Sequence, residues 1–203
     1  MTSWNELLSL FIHGPVVLFS TATNGVSSNS HMLAFSYCKP EDAVPTTLFQ
    51  LLEPDEVYKS SAYHKIPFEL VRERGLLPDE FHEQVSKILS ENIPLSYNPS
   101  FQTKVIVEME RMLPVPIYDL VMFLRVADSR IAFKTDDLDK AVTLADLCKL
   151  MKKNYAPVAF QKIMKDYHAA FSGRLSSDLP VVVNANGLKI LWNDLQAKPL
   201  LTF

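Results

Sequence analysis

Two cysteines, Cys38 and Cys148, are all that 203 residues contain. That is too few for a disulfide framework or a cysteine-based zinc site, and the expected compartment is reducing, hence cytoplasmic. Positive charge is not in excess either: 20 Lys and Arg stand against 23 Asp and Glu, for a formal net charge of -3. No global positive field marks the chain as a nucleic-acid binder, which leaves only a local basic surface open. Apolar runs stay well short of the ~20 residues that a membrane-spanning helix needs. The stretch from Trp4 to Ile12 carries Glu6 and lacks a basic flank, so neither a span nor a signal peptide is expected there, and no membrane partner. Internal repeats and low-complexity tracts are missing, and Ser20 lacks the Gly-x-Ser-x-Gly elbow of a hydrolase nucleophile.

What is present is a chain 48% apolar, enough for one sizeable core, and a single domain over 1–203 is expected. Thr2 to Phe11 reads as a short helix or extended lead-in. Val16 to Thr21 is a β-branched and aromatic run with the composition of a buried strand, closed by Asn24-Gly25 as a turn. His31 to Tyr37 and Thr47 to Leu52 extend it into a meander that Glu53-Pro54-Asp55 ends. From residue 79 the period lengthens. Phe81, Val85, Ile88 and Leu89 share one helical face, and Phe101, Val105, Met109 and Met112 line a second helix that Pro114 and Pro116 stop. Pro94 to Tyr97 is a short strand candidate, and Ile117 to Val126 reads as a strand passing into a helix near Asp119. Leu144, Leu147, Cys148 and Met151 mark a third amphipathic helix, and Phe160 to Phe171 a fourth. The last begins near Asp178 as N-cap, with Pro180 in its first turn and a stripe of Val181, Asn184, Leu188, Leu191 and Leu195. Strands first, then strands alternating with helices, describe an α/β sandwich with a mixed sheet.

Four ordered segments carry a family resemblance. Leu18-Phe19-Ser20-Thr21-Ala22-Thr23-Asn24-Gly25 resembles a hydrophobic strand followed by Asp-Thr-Glu-Thr-Thr-Gly. Leu51-Leu52-Glu53-Pro54, with Ala62-Tyr63-His64-Lys65-Ile66 after it, is similar to a strand end and a His-x-Ile turn. Pro94 to Gln102 is similar to a strand and turn reading His-Asn-x-x-Phe-Asp, with Pro116-Ile117-Tyr118-Asp119 where an Asp-Thr strand end often falls. Val181 to Ala185 is similar to the block His-x-Ala-Leu-x-Asp-Ala. The family is that of the DnaQ-like, or DEDD, 3′→5′ exonucleases. The resemblance implies a ribonuclease H-like three-layer sandwich with a mixed five-stranded sheet flanked by helices.

It also implies a chemistry that the chain does not carry. These exonucleases hydrolyse phosphodiesters with two metal ions held by carboxylates. At the matched positions this sequence reads Ser20, Ala22, Gln102 and Asn184, none of them charged. The general-base histidine falls on Leu179 in one register of the last motif. In the other register, through His168-Ala169-Ala170-Phe171-Ser172-Gly173, a histidine is kept and the aspartate is again lost. No cofactor is therefore expected. Magnesium or manganese enters only if an active exonuclease uses relocated ligands, for which Glu53, Asp119 and Asp178 are the acids nearest the motifs. Asp178 reads more simply as a helix cap, and Asn184 as an amide bonded to backbone or to Ser20.

Other residues have plainer readings. Cys148 shares a face with Leu144 and Met151 and reads as core, not as a nucleophile paired with His168. His13, His31, His64 and His82 lack metal-ligand spacing, and His64 fits a turn. Lys149, Lys152, Lys153, Lys162 and Lys165, with Arg174 nearby, read as a solvated face, with phosphate contact as the alternative. Tyr97, Asn98 and Phe101 are candidates for stacking or binding a strand end, although Phe101 also fits a helix core. The leading expectation is a catalytically degenerate exonuclease domain that binds a single-stranded nucleic-acid end or a protein partner. An active exonuclease and a structural subunit docking through Pro199 to Phe203 are the competitors, and a homodimer is expected from the resemblance alone.

Overall fold

Val16–Thr23 (β1) is buried along almost its whole length because the sheet is covered on both faces, as its β-branched and apolar composition requires. The computed structural model describes residues 13–96, 98–120 and 179–197, with the backbone alone described at Val183. The expected lead-in, the third and fourth helices with Cys148, His168 and their lysines, Tyr97, Asp178 and the C-terminal tail all lie outside the described residues.

β1 pairs antiparallel with Met32–Cys38 (β2), which pairs antiparallel with Thr46–Gln50 (β3). Asn24 fixes the β1–β2 turn. Its side chain accepts from the His31 N–H at 2.7 Å, and its amide donates to Glu56 Oε2 at 2.8 Å. Lys59, by hydrogen-bonding the Glu56 carboxylate, holds that group's pKa below its usual range. At the end of the ladder Ala22 faces Ala34 but Thr23 faces Met32. Leu33 is thus bulged, which puts consecutive Leu33 and Ala34 into one apolar cluster.

Three short helices follow: Pro54–Tyr58 (α1), Ser61–His64 (α2) and Phe68–Arg74 (α3). His64 does what the turn reading expected. Nδ1 accepts from the Ile66 N–H at 3.0 Å, which leaves Nε2 to donate to the Lys59 carbonyl, also at 3.0 Å. α3 runs directly into Gly75–Leu76 (β4), parallel to β3. Pro78–Glu91 (α4) then buries Phe81, Val85 and Leu89, the face that the sequence period marked. Ile93–Ser96 (β5) returns parallel to β1, and Tyr118–Asp119 (β6) lies parallel to β5. The sheet order is β4-β3-β2-β1-β5-β6.

Two expectations change here. The sheet has six strands instead of five, because β4, only two residues long, pairs with the end of β3. The second helix is not one α-helix: Pro99–Thr103 (α5) passes into a π-helical turn over Lys104–Met109, closed by Glu110 N–H to Val105 O at 3.0 Å. Residues five apart stack in such a turn, so Val105 and Glu110 both face the core.

The last helix, Pro180–Gln196 (α6), is capped by Leu179 with no side-chain cap, not by Asp178. It lies across β1 and β2 with Val181, Ala185, Leu188, Leu191, Trp192 and Leu195 buried. Two clusters therefore sandwich the sheet. One, on the α4 side, holds Phe19, Phe35, Phe81 and Met109, with Phe19 stacked on Phe35 at 5.2 Å. The other, on the α6 side, holds Ala22, Ala34, Phe49, Val71 and Val181.

Gly75 is demanded by close approach. A Cβ there would stand 2.3 Å from the Val71 carbonyl oxygen and 2.9 Å from Leu51 Cα, both backbone atoms. Gly75→Ala is expected to cost about 2 kcal/mol through forced separation of α3 and β4. Thermal denaturation should show a midpoint lowered by about 4–8 °C; an unchanged midpoint would mean that β4 is not docked on β3.

Candidate functional site

Of the four positions matched by resemblance, Ser20 and Ala22 stand on β1, Gln102 follows β5 and Asn184 lies on α6. Side chains alternate along a strand, so Ser20 and Ala22 face α6 while Thr21 faces the α4 side. Ser20 is fully buried and its Oγ has no hydrogen-bond partner. Ala22 is 9% exposed and belongs to the same apolar cluster as Val181, with Leu179 and Val182 packed against it. Where a carboxylate pair would need water and cations, this face carries methyl groups.

Gln102, at the start of the helix after β5, is fully buried and reaches β1 through Thr21, whose Oγ1 donates to Gln102 Oε1 at 2.7 Å. It is thus engaged one residue from Ser20 and Ala22, with a side chain on the other face. Its Nε2, like Ser96 Oγ at the end of β5, has no hydrogen-bond partner. Asn184 lies on α6, the helix that crosses β1, and is half-buried. The expected Asn184–Ser20 hydrogen bond is not made, because Ser20 Oγ is unpartnered.

Leu179 precedes the first turn of α6 and offers no proton acceptor, while His168 lies outside the described residues. Asn98 caps α5: its Oδ1 accepts from the Phe101 N–H at 3.3 Å. Phe101 is half-buried against the Phe19 cluster, the core alternative in the sequence reading. Cys38 is no nucleophile. Burial pushes its thiol up to about 11, against the opposing charge of Lys189, and Sγ donates to the Ala185 carbonyl at 3.6 Å.

Would this set hold a pair of hard divalent cations? A hydroxyl, a methyl and two amides supply no anionic oxygen, and one amide oxygen is already taken by Thr21. The residues do not fit the two-metal group. Nor do the two relocation candidates among the described residues converge. Glu53 is exposed at the start of α1, just after β3, and Asp119 is half-buried in β6. Four interstrand spacings, roughly 19 Å, separate β3 from β6. Among the described residues, no three His, Cys, Asp or Glu side chains are grouped to hold an ion.

One cluster that sequence reasoning missed lies on the α4 face. Glu110, 7% exposed, accepts from the Met32 backbone N–H through Oε1 at 2.5 Å. Its Oε2 accepts from His82 Nε2 at 2.5 Å and from Gln50 Nε2 at 3.3 Å. Their separations in sequence follow no motif, so no local signal could have joined them.

With the geometry in place, comparison with known proteins defines the fold. No protein-family profile matches the chain and no curated protein matches it in sequence. Among solved structures, it is similar to a moderately thermophilic Exonuclease I from Methylocaldum szegediense, with a TM-score of 0.53 and 16% identity. That alignment covers 93% of this chain and 42% of the exonuclease, so the chain spans less than half the length of that protein. S. pombe Pop2p, in its Mg2+- and Mn2+-bound form, aligns over 97% of this chain and 88% of its own, with a TM-score of 0.49 and 14% identity. The mixed sheet with flanking helices and the likeness to Exonuclease I show a DnaQ-like exonuclease fold of the ribonuclease H-like class. No described helix is long and apolar enough to cross a membrane.

Proposed function

We propose that this chain is an exonuclease-like domain that has given up phosphodiester hydrolysis and acts as a binding module for a single-stranded nucleic-acid end or a protein partner. The observation that carries this reading is the apolar contact region shared by Ala22 and Val181 where the resemblance places acids. Two-metal hydrolysis needs anionic oxygens to hold cations a few ångströms apart and to polarise water between them. Ser20, Ala22, Gln102 and Asn184 provide none. Neutral side chains also remove the repulsion that a carboxylate cluster exerts on phosphate, which favours retention of a strand without its cleavage.

Calorimetric titration with manganese and then magnesium, followed by incubation with a 5′-labelled single-stranded oligonucleotide, tests the reading. The expected result is no saturable metal uptake and no shortening of the strand. Tight uptake with metal-dependent shortening would overturn it in favour of an active exonuclease. Strand binding that weakens steeply with salt identifies the nucleic-acid module. A strand left both unbound and uncut supports the protein-partner form.

A further inference from the structure

The His82–Glu110 cluster does more than join elements, because it floors an open cleft of about 470 Å³. That volume is in the range of small-molecule sites. His31, Gln50, Leu52, His82, Glu110 and Arg111 line it. Gln50 follows Phe49, which belongs to the α6-side cluster, so strand alternation puts Gln50 and the cleft on the α4 face. Ser20 and Ala22 face the other way. The cleft therefore opens on the face of the sheet opposite Ser20 and Ala22.

The polar groups of this cleft are incompletely satisfied in a particular pattern. The Glu110 side chain is only 1% exposed and already accepts from three donors, so it presents no free carboxylate to a ligand. His82 is 28% exposed, and the hydrogen bond to Glu110 commits Nε2, with no bond to Nδ1 among the described residues. Gln50 donates its amide to Glu110, but its buried Oε1 accepts from nothing. Arg111 is exposed, makes no ion pair among the described residues, and is held at φ 54°, a left-handed conformation that non-glycine residues avoid. Arg111 thus shares the lining of the cleft with two imidazoles, His31 and His82, and with one buried acceptor, Gln50 Oε1.

The geometry points to a site for a small organic oxyanion, a phosphate monoester or a carboxylate, whose body carries a hydroxyl or amine. The guanidinium and the imidazoles meet the anionic end, since a planar fork suits oxyanions. Gln50 Oε1 takes the donor of the body and so satisfies an acceptor that is otherwise buried at a cost.

Isothermal titration of the full chain with ribose 5-phosphate, L-malate and inorganic phosphate tests this, with Arg111→Gly and Arg111→Gln measured alongside. The wild type is expected to bind ribose 5-phosphate or malate, and either substitution to weaken that binding by about tenfold or more. Arg111→Gly relieves the left-handed backbone, so its thermal midpoint should hold or rise. A response to ribose 5-phosphate alone assigns a phosphate ester, and a response to malate alone assigns a carboxylate. Absence of binding by the folded wild type at about 10 mM would overturn the site, as would substituted proteins that bind equally well. Inorganic phosphate bound as tightly as both organic probes would overturn the part given to Gln50.

Discussion

Glu110→Ala lowers the thermal midpoint by about 10 °C, the largest single-residue loss expected outside the packed aromatic core. The side chain bridges the π turn, the first residue of β2, the last residue of β3 and the first turns of α4. Removing it leaves the Met32 N–H and the Gln50 amide buried without acceptors, and His82 without its partner. Breaking one side of a buried charged network of this kind costs about 3–5 kcal/mol. For a chain of this size each kcal/mol shifts the midpoint by about 2–4 °C. Glu110→Gln keeps an oxygen for one donor but turns an amide N–H toward the others, so an intermediate loss is expected. His82→Ala removes one partner from a partly exposed position and should cost less than Glu110→Ala. A double-mutant cycle over His82 and Glu110, read by urea denaturation, checks the bridge. Additive losses would show that the two side chains do not work as a unit.

That bridge also marks where the sequence stops being legible. β1 could be read from Val16 to Thr21 because a strand buried on both faces is apolar and β-branched throughout. α4 and α6 could be read from the spacing of Phe81, Val85 and Leu89, and of Val181, Leu188 and Leu191, since each buries one stripe. The ordered motifs led further, to the sheet type and the exonuclease-like fold. Glu110 was hidden by the π turn: the pattern Val105, Met109, Met112 assumes an α-helical period, under which a buried acid at 110 has no reason. β4 was hidden for another reason. Two residues carry no periodic signal, and Gly75–Leu76 become a strand only because the end of β3 offers them a free edge. At the candidate site, residue types told which chemistry is lost. Only the fold could tell that Gln102 turns to Thr21, and that Ala22 is sealed among apolar side chains.

Restoring a single acid at that seal should be costly. Ala22→Glu adds two side-chain carbons and two oxygens to a position only 9% exposed, within the cluster that includes Ala34, Phe49 and Val181. Overpacking alone costs about 1–3 kcal/mol. A buried carboxyl without partners adds a comparable desolvation cost, for a total of about 4 kcal/mol at neutral pH. Burial disfavours the charged form, so the folded-state pKa of the new carboxyl rises above the unfolded value of about 4.3. The folded chain then holds more protons than the unfolded chain between those two values. Stability relative to wild type must therefore fall as pH rises from about 4 toward the folded pKa, and the variant is least damaged in acid. Urea denaturation of wild type and variant at pH 4 and pH 7 measures this difference. A deficit that shrinks toward pH 7 would mean that the carboxylate is ionised and stabilised in the fold. The combined variant Ser20→Asp, Ala22→Glu, Gln102→Asp, Asn184→Asp separates geometry from chemistry. Three of its acids stand on β1 and on α6, the helix that packs across β1; if these positions are the counterparts of the exonuclease ligands, millimolar manganese returns at least ~1.4 kcal/mol to it, which is tenfold in the folding equilibrium. The same manganese should return nothing to Ala22→Glu alone, because one carboxylate in an apolar seal cannot dehydrate and hold a divalent ion. If the combined variant folds and manganese leaves its midpoint unmoved, these positions are not the counterparts of the exonuclease ligands.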